Sequence, residues 1–484
     1  MQQKTVDPSR TAKRSDLMTE GAIWKKIVVF SVPLILGNLL QQMYSTVDSI
    51  IVGNYVGSNA LAAVGSSTAL INLLIAFSQG ASVGAGVVVS QYIGAKDKRG
   101  LRAAVHTALT IAGILGLVLT VAGIFLSRQL LIWMQTPADV LEDSVRYLQV
   151  YSGGLICSVV YNMATGILNA AGNSRRPLLY LGVASVVNIA LDILLIEGFH
   201  MGVEGAAIAT DASQLVSCVL AMAFLMRTKA DYRVSLRRLR IQKNVAIRIL
   251  KVGLPAGIQS MVISLSNVLV QSSVNSFGAT EMAGFGAYLK IDGFNILPVL
   301  SISMASTTFV GQNYGAGKID RVKKGMWVTL LIGLVYTVAL GILLSIFSEP
   351  VMRLFTDDTA VIESGKQVMR YFCPFYFLLS ILYGLVGTVR GTGKSIPPMV
   401  VLLFSFCVFR IFWIQLAVPQ FGSSRGVYVL YPISWTIGAV SMVLYAWKGK
   451  WLTSASKLCR KCVGFNVLRW RHRSIFCVIN QNCE

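Results

Sequence analysis

The chain has 484 residues, 54% of them hydrophobic and only 13% charged, and a mean hydropathy of +0.64. Soluble chains carry about a quarter of their residues charged, so this composition excludes a disordered protein and argues against a set of water-soluble domains. The net charge of +22 raises nucleic-acid binding, a question that the positions of the charges decide.

Residues 1–21 are polar and include Lys4, Arg10, Lys13 and Arg14. They lack the apolar core of a signal peptide, which predicts a cytoplasmic tail followed by a retained first helix. Long apolar runs bounded by charge or Gly/Pro punctuation then predict twelve spans. They fall near 27–52, 61–93, 105–126, 145–169, 178–196 and 203–226, then 247–275, 282–314, 326–347, 369–389, 398–418 and 427–447. Of the 43 Lys and Arg, 35 fall in the termini and alternate loops on one side, 6 on the other, and Lys290 and Arg410 lie inside spans. This asymmetry predicts a multi-pass protein of the cell's inner (plasma) membrane with both termini cytoplasmic. It also disposes of nucleic acid, because the basic surplus follows topology.

The chain repeats at an offset of 221. Gly57, Gly65, Gln91, Gly94, Ala95, Gly166, Gly172, Pro177 and Gly205 recur as Gly278, Gly286, Gln312, Gly315, Ala316, Gly387, Gly393, Pro398 and Gly426, while Pro33 and Pro255 agree within one residue. The predicted fold is an all-α integral membrane protein of two six-helix bundles related by a parallel repeat, with the site between or within the halves. Its parts are an N-terminal lobe at 22–226, a basic linker at 227–246, a C-terminal lobe at 247–447 and a basic tail at 448–484.

Charges at bilayer depth are costly and mark function. The first bundle holds Asp48, Asp192 and Asp211; the second holds Lys290, Asp292 and Arg410; the repeat duplicates none of them. In the first span Asn38, Gln41, Ser45 and Asp48 form a polar stripe, with Tyr44 one turn before Asp48. Asn188 and Asp192 are one turn apart in the fifth span, and Thr210 and Asp211 sit together in the sixth. Such oxygen ligands suit a hard cation or a proton. The bland reading for each acid is a helix–helix hydrogen bond, and Asp211 divides evenly between the two. Lys290 and Asp292 point to different faces, and Arg410 is the available counter-charge for Asp292. Ser260, Ser264, Asn267 and Gln271 line one face of the seventh span, as a pathway or as glue between helices.

Gly391-Thr392-Gly393-Lys394-Ser395 imitates a phosphate loop, but Thr388 stands where the motif needs Gly. Three histidines in separate regions make a His-built metal site improbable, and no cofactor is expected. Cys459, Cys462, His472, Cys477 and Cys483 fit no standard zinc spacing, so the tail reads as a surface-associating segment.

Val32-Pro33 with Asp48, Gln91-Tyr92-Ile93-Gly94-Ala95, Gly172-Asn173, Asn188-Ile189-Ala190-Leu191-Asp192 and Gln312-Asn313-Tyr314-Gly315-Ala316 together resemble the multidrug and toxic compound extrusion (MATE) family across residues 22–447. The resemblance implies a V-shaped pair of lobes exporting organic, often cationic and amphipathic compounds in exchange for Na⁺ or H⁺. It places Tyr44, Asp48, Asn188, Asp192 and Thr210 in an N-lobe cation site, with Na⁺ at the last four as the only metal. Spans 247–275 and 369–389 lack Asp and Glu, so the chain is closer to the DinF-like branch than to the NorM-like one. A monomer handling small organic substrates in a lipid bilayer is expected. A lipid-linked oligosaccharide flippase of the same superfamily is the alternative, and would need a cation-lined cavity. An intramembrane aspartyl enzyme is a third reading, disfavoured because no Gly-x-Gly-Asp surrounds either acid.

Overall fold

A computed structural model describes residues 17–134, 136–449 and 451–452. The tail residues Cys459, Cys462, His472, Cys477 and Cys483, read as part of a surface-associating segment, lie outside them. Among the described residues there is no strand, and eleven helices are long and apolar enough to cross a membrane, with a bent pair making a twelfth span. In chain order these are α1 (Ile23–Tyr55), α2 (Ser58–Gly94), α3 (Lys98–Trp133), α4 (Ala138–Gly153 and Leu155–Ala170), α5 (Arg175–Gly198) and α6 (Gly202–Arg227). The second half comprises α7 (Lys243–Asn275), α8 (Ala279–Gly315), α9 (Ile319–Ile346), α10 (Thr359–Gly391), α11 (Ile396–Leu416) and α12 (Arg425–Trp447).

Most helices outrun the apolar stretches that announce them, because polar first and last turns continue the helix past the hydrocarbon. The largest departure is the fourth span, expected as one helix over 145–169. It starts at Ala138 and bends by 49° at Gly154. The tenth span likewise begins at Thr359, which brings in Glu363 as an exposed partner of Lys366. The linker 227–246 holds a single turn of 3₁₀ helix, Leu236–Arg238, and α7 starts within its last residues.

The two bundles are interlocked at the end that carries the basic loops. Ile27, Phe30 and Leu34 in the first half of α1 pack into the core of the C-lobe, whereas Ile51 and Val52 near its far end pack into the N-lobe. Helix α7 mirrors this, with Val245 and Ile249 in the N-lobe core and Val270 and Val274 in the C-lobe core.

The repeated Gln-x-x-Gly-Ala signature explains how that end closes. Gln91 Nε2 donates to the carbonyl of Gly391 at 3.1 Å, and Gln312 Nε2 donates to the carbonyl of Ala170 at 2.8 Å. Both partners are related by the same offset of 221, so the seam obeys the pseudo-two-fold axis. Gly94 lies against the Gln312 backbone and Gly315 against the Gln91 backbone, with no room for a Cβ at either. Farther in, Gly80 and Gly84 of α2 meet Gly253 and Gly257 of α7 backbone to backbone. Small residues permit this approach, and dispersion between close helices holds the seam without a hydrophobic drive. Asn38 of α1 also donates to Ser301 Oγ of α8 at 3.0 Å.

Candidate functional site

The N-lobe site is built where α1, α4, α5 and α6 meet. Asp48 is buried on α1, and Asn188 and Asp192 are fully buried one turn apart on α5. Helix α5 loosens into a π-turn at Ile193–Gly198, immediately after Asp192. Such turns often mark functional positions in helices. Asp48 and Asp192 lie within electrostatic range of each other.

Five buried polar atoms here have no hydrogen-bond partner in the protein: Asp48 Oδ1, Asn188 Nδ2 and Oδ1, and both carboxylate oxygens of Asp192. Buried polar groups in folded proteins are mostly satisfied, because leaving one unpaired costs roughly 1–3 kcal/mol; elsewhere among the described residues both amide atoms of Asn295 and Nε of Arg390 are also unpartnered. In the N-lobe site, two carboxylates and an amide left this way form a set of oxygen ligands for a hard cation or acceptors for a proton. No group of three or more His, Cys, Asp or Glu that could hold a metal occurs among the described residues.

A shell of tyrosines surrounds the acids. Tyr44 is half-buried, hydrogen-bonded to Gln41 and Gln214, and within electrostatic range of Asp48. Tyr147 and Tyr151, one turn apart on α4 with ring centroids 6.3 Å apart, are both in range of Asp48 and Asp211. Tyr161 is in range of Tyr44 and donates to the carbonyl of Pro177 at 3.2 Å. Tyr147, Tyr151, Tyr161 and Gln214 join the site only in the folded chain. The available signal was the four-residue spacing of Tyr147 and Tyr151 on the amphipathic first part of α4.

Thr210 is buried on α6, where its carbonyl accepts from Ser213 Oγ at 2.7 Å. Its hydroxyl is not hydrogen-bonded to either carboxylate among the described residues. Asp211 turns to the break in α4: its carboxylate fills the space beside Gly154, whose own N–H donates to the carbonyl of Tyr151 at 3.2 Å.

In the C-lobe the charged residues are dispersed. Tyr288 Oη donates to Asp292 Oδ1 at 3.1 Å and lies 2.8 Å from Tyr376 Oη, which ties the acid to α10. Arg410 is buried between the rings of Phe406 and Tyr431, with centroids at 4.6 and 4.5 Å from its guanidinium carbon. It donates to Ser434 Oγ at 3.3 Å and to Asn267 Oδ1 at 3.4 Å. The expected Arg410–Asp292 pairing is therefore not formed: Asp292 faces α10, and Arg410 faces α7 and α12. Lys290 is exposed rather than buried. Gln271 is half-buried and donates to Asn275 Oδ1 at 2.8 Å on its own helix.

The family model MatE matches residues 33–194 and, a second time, 255–414. The two matches start at or beside Pro33 and at Pro255, in line with the doubling read from the 221 offset. The probable multidrug resistance protein YoeA of Bacillus subtilis is 30% identical over 470 residues, covering 92% of this chain and 98% of that protein. Its relative YpnP from the same organism is 29% identical over 433 residues, covering 90% and 97%. A MATE crystal structure in the straight conformation superposes with a TM-score of 0.83 at 25% identity, covering 91% of this chain and 98% of that one. An outward-facing multidrug resistance MATE transporter gives 0.82 at 24% identity, covering 94% and 99%.

Proposed function

The chain belongs to the MatE family of multidrug efflux transporters, and from that premise we propose that it is a secondary active antiporter. It exports organic, often cationic and amphipathic compounds in exchange for H⁺ or Na⁺, with Asp48 and Asp192 as the coupling acids. The observation that carries this reading is the group of five unpartnered buried polar atoms on Asp48, Asn188 and Asp192.

An ion arriving through the open end of the lobes satisfies these atoms and biases the lobes towards releasing substrate. Each elementary charge moved down the membrane potential supplies about 2.3 kcal/mol per 100 mV. The seam at the basic end joins the lobes there, and the distribution of Lys and Arg puts that end and both termini in the cytoplasm. Coupling by the N-lobe alone corresponds to the DinF-like arrangement. Both lobes and the cleft belong to one chain, which works as a monomer in the plasma membrane. Pro33 and Pro255, inside α1 and α7, supply the bending points for the cycle.

The test is substrate efflux from proteoliposomes with pH and Na⁺ gradients imposed one at a time. One gradient should drive efflux, and Asp48→Asn should abolish it while the protein still reaches the membrane. Undiminished gradient-driven efflux by that variant would remove Asp48 from the coupling site.

A further inference from the structure

Two deep charges of the C-lobe spans, Asp292 and Arg410, both have hydrogen-bond partners, and Lys290 lies in a span of the same lobe. It is exposed, and it takes part in none of the ion pairs or hydrogen bonds among the described residues. Facing lipid, an ammonium near the middle of a spanning helix is expensive. Its direction follows from the contacts of α8.

Lower on that helix, Ser301 accepts from Asn38 of α1, and Met304 lies 3.9 Å from Asn169 Nδ2 of α4, so this face of α8 looks at the N-lobe. At 3.6 residues per turn Lys290 lies about 20° round from Ser301 and about 40° from Met304. The opposite face looks at α10, through Ser303 to the carbonyl of Tyr383 and through Tyr288 to Tyr376. Those two contacts lie on either side of Pro298, about 60° apart at 3.6 residues per turn and both on the half of the helix opposite Ser301, so the proline does not turn the upper part of the helix to the other side. Lys290 therefore lies exposed on the face of α8 that is turned to the N-lobe.

Its depth follows from the same contact. With 1.5 Å of rise per residue, Lys290 stands about 16 Å from Ser301 along α8, and Asp48 stands about 15 Å from Asn38 along α1, both towards the open end. The exposed ammonium of Lys290 and the buried carboxylate of Asp48 thus stand at the same level, one on each lobe. Between them the exposed side of α1 offers Gln41 and Ser45, and α7 offers Ser264.

From this juxtaposition we propose that Lys290 is a specificity-determining residue that binds an anionic group of the exported compound. The cleft then selects zwitterions: the basic group lies towards the N-lobe acids, and a carboxylate or phosphate lies on Lys290. This rests on the antiport reading above and narrows its substrate class.

The experiment pairs a fluoroquinolone, zwitterionic at neutral pH, with its methyl ester, which keeps only the cation. Both are followed in the same gradient-driven proteoliposome efflux and by fluorescence binding to detergent-purified protein. Loss of one charge-assisted contact of about 1.5 kcal/mol or more predicts that Lys290→Gln weakens zwitterion binding and flux about ten-fold or more. The ester should be affected less than about two-fold, and Lys290→Arg should restore the zwitterion, because the ionic contact survives. Equal responses of the two probes to Lys290→Gln, or no response, overturn the assignment of Lys290 alone. Failure of the wild-type protein to move or bind either probe overturns the antiport reading and this proposal with it. Asp48→Asn separates the two, since it should stop driven flux of both probes.

Discussion

The acids of the two lobes occupy comparable depths in homologous bundles and are treated in opposite ways. In the N-lobe, Asp48 and Asp192 share a polar pocket in which three of their oxygens have no protein partner. In the C-lobe, Asp292 is hydrogen-bonded to Tyr288, which is in turn bonded to Tyr376. Arg410, buried in that lobe, is enclosed by two rings, a serine and an asparagine. A buried carboxylate already supplied with donors is a structural element. One left short of partners is poised to exchange a cation with its surroundings. The repeat copies the scaffold to both sides and, on the reading proposed above, leaves the exchangeable site on one.

The sharpest way to break this contrast is to neutralise the acids singly. Asp192→Asn should reduce gradient-driven efflux by about ten-fold or more, because transition between the lobes' two arrangements loses the differential ion binding that drives it. Asp292→Asn keeps an acceptor for Tyr288 and should leave efflux within about three-fold of the wild type, a cost comparable to one altered hydrogen bond. Efflux measured side by side, normalised to the amount of protein in the vesicles, decides between them. Equal losses would place coupling in both lobes.

The N-lobe pair could be read from spacing because Asn188 and Asp192 lie one turn apart on one helix, and Tyr44 and Asp48 on another. Helical periodicity places residues on a face of their own helix, but it does not say which neighbour that face meets. That is why Arg410 was expected beside Asp292, when the two look at different helices. The seam was legible as a pattern before its purpose was: Gln91 and Gln312 recur at the repeat offset, yet only the folded chain shows each reaching the last turn of a helix in the other lobe. The break in α4 was hidden because the first turns of that helix are polar and read as loop. The glycine pair Gly153-Gly154 supplied the only hint. With the break went the role of Asp211 and the tyrosines of α4.

The seam itself offers the next test, of intermediate size. Gly94 and Gly315 are related by the repeat, and each touches the backbone of the other lobe, so a side chain at either must push the lobes apart. Gly94→Val and Gly315→Val should each destabilise the closed basic end by about 1–3 kcal/mol, the range for forced overpacking. Two spin labels placed across that end should report a wider separation, and the two variants should agree, since the axis makes the sites equivalent. A large effect at one glycine and none at the other would mean that the interlock is not symmetric.

The smallest expected effect separates Asp211 from the acids beside it. Its carboxylate fills the space beside Gly154 at the break in α4, and it lies in range of the same tyrosines as Asp48. If its work is to fill that space, Asp211→Asn keeps the size of the side chain and should cost little in either stability or efflux. Asp211→Ala empties the space and should lower stability by about 1 kcal/mol, the usual size of a small cavity. Thermal unfolding in detergent reads the first quantity and driven efflux the second. Because the bend at Gly154 also sets where Tyr147 and Tyr151 face the pocket, a modest fall in efflux should accompany the Ala variant and be absent from the Asn variant. Were Asp211→Asn instead as inactive as Asp48→Asn, the carboxylate would be a third coupling acid, and the line between a satisfied acid and an exchangeable one would have to be redrawn inside the N-lobe itself.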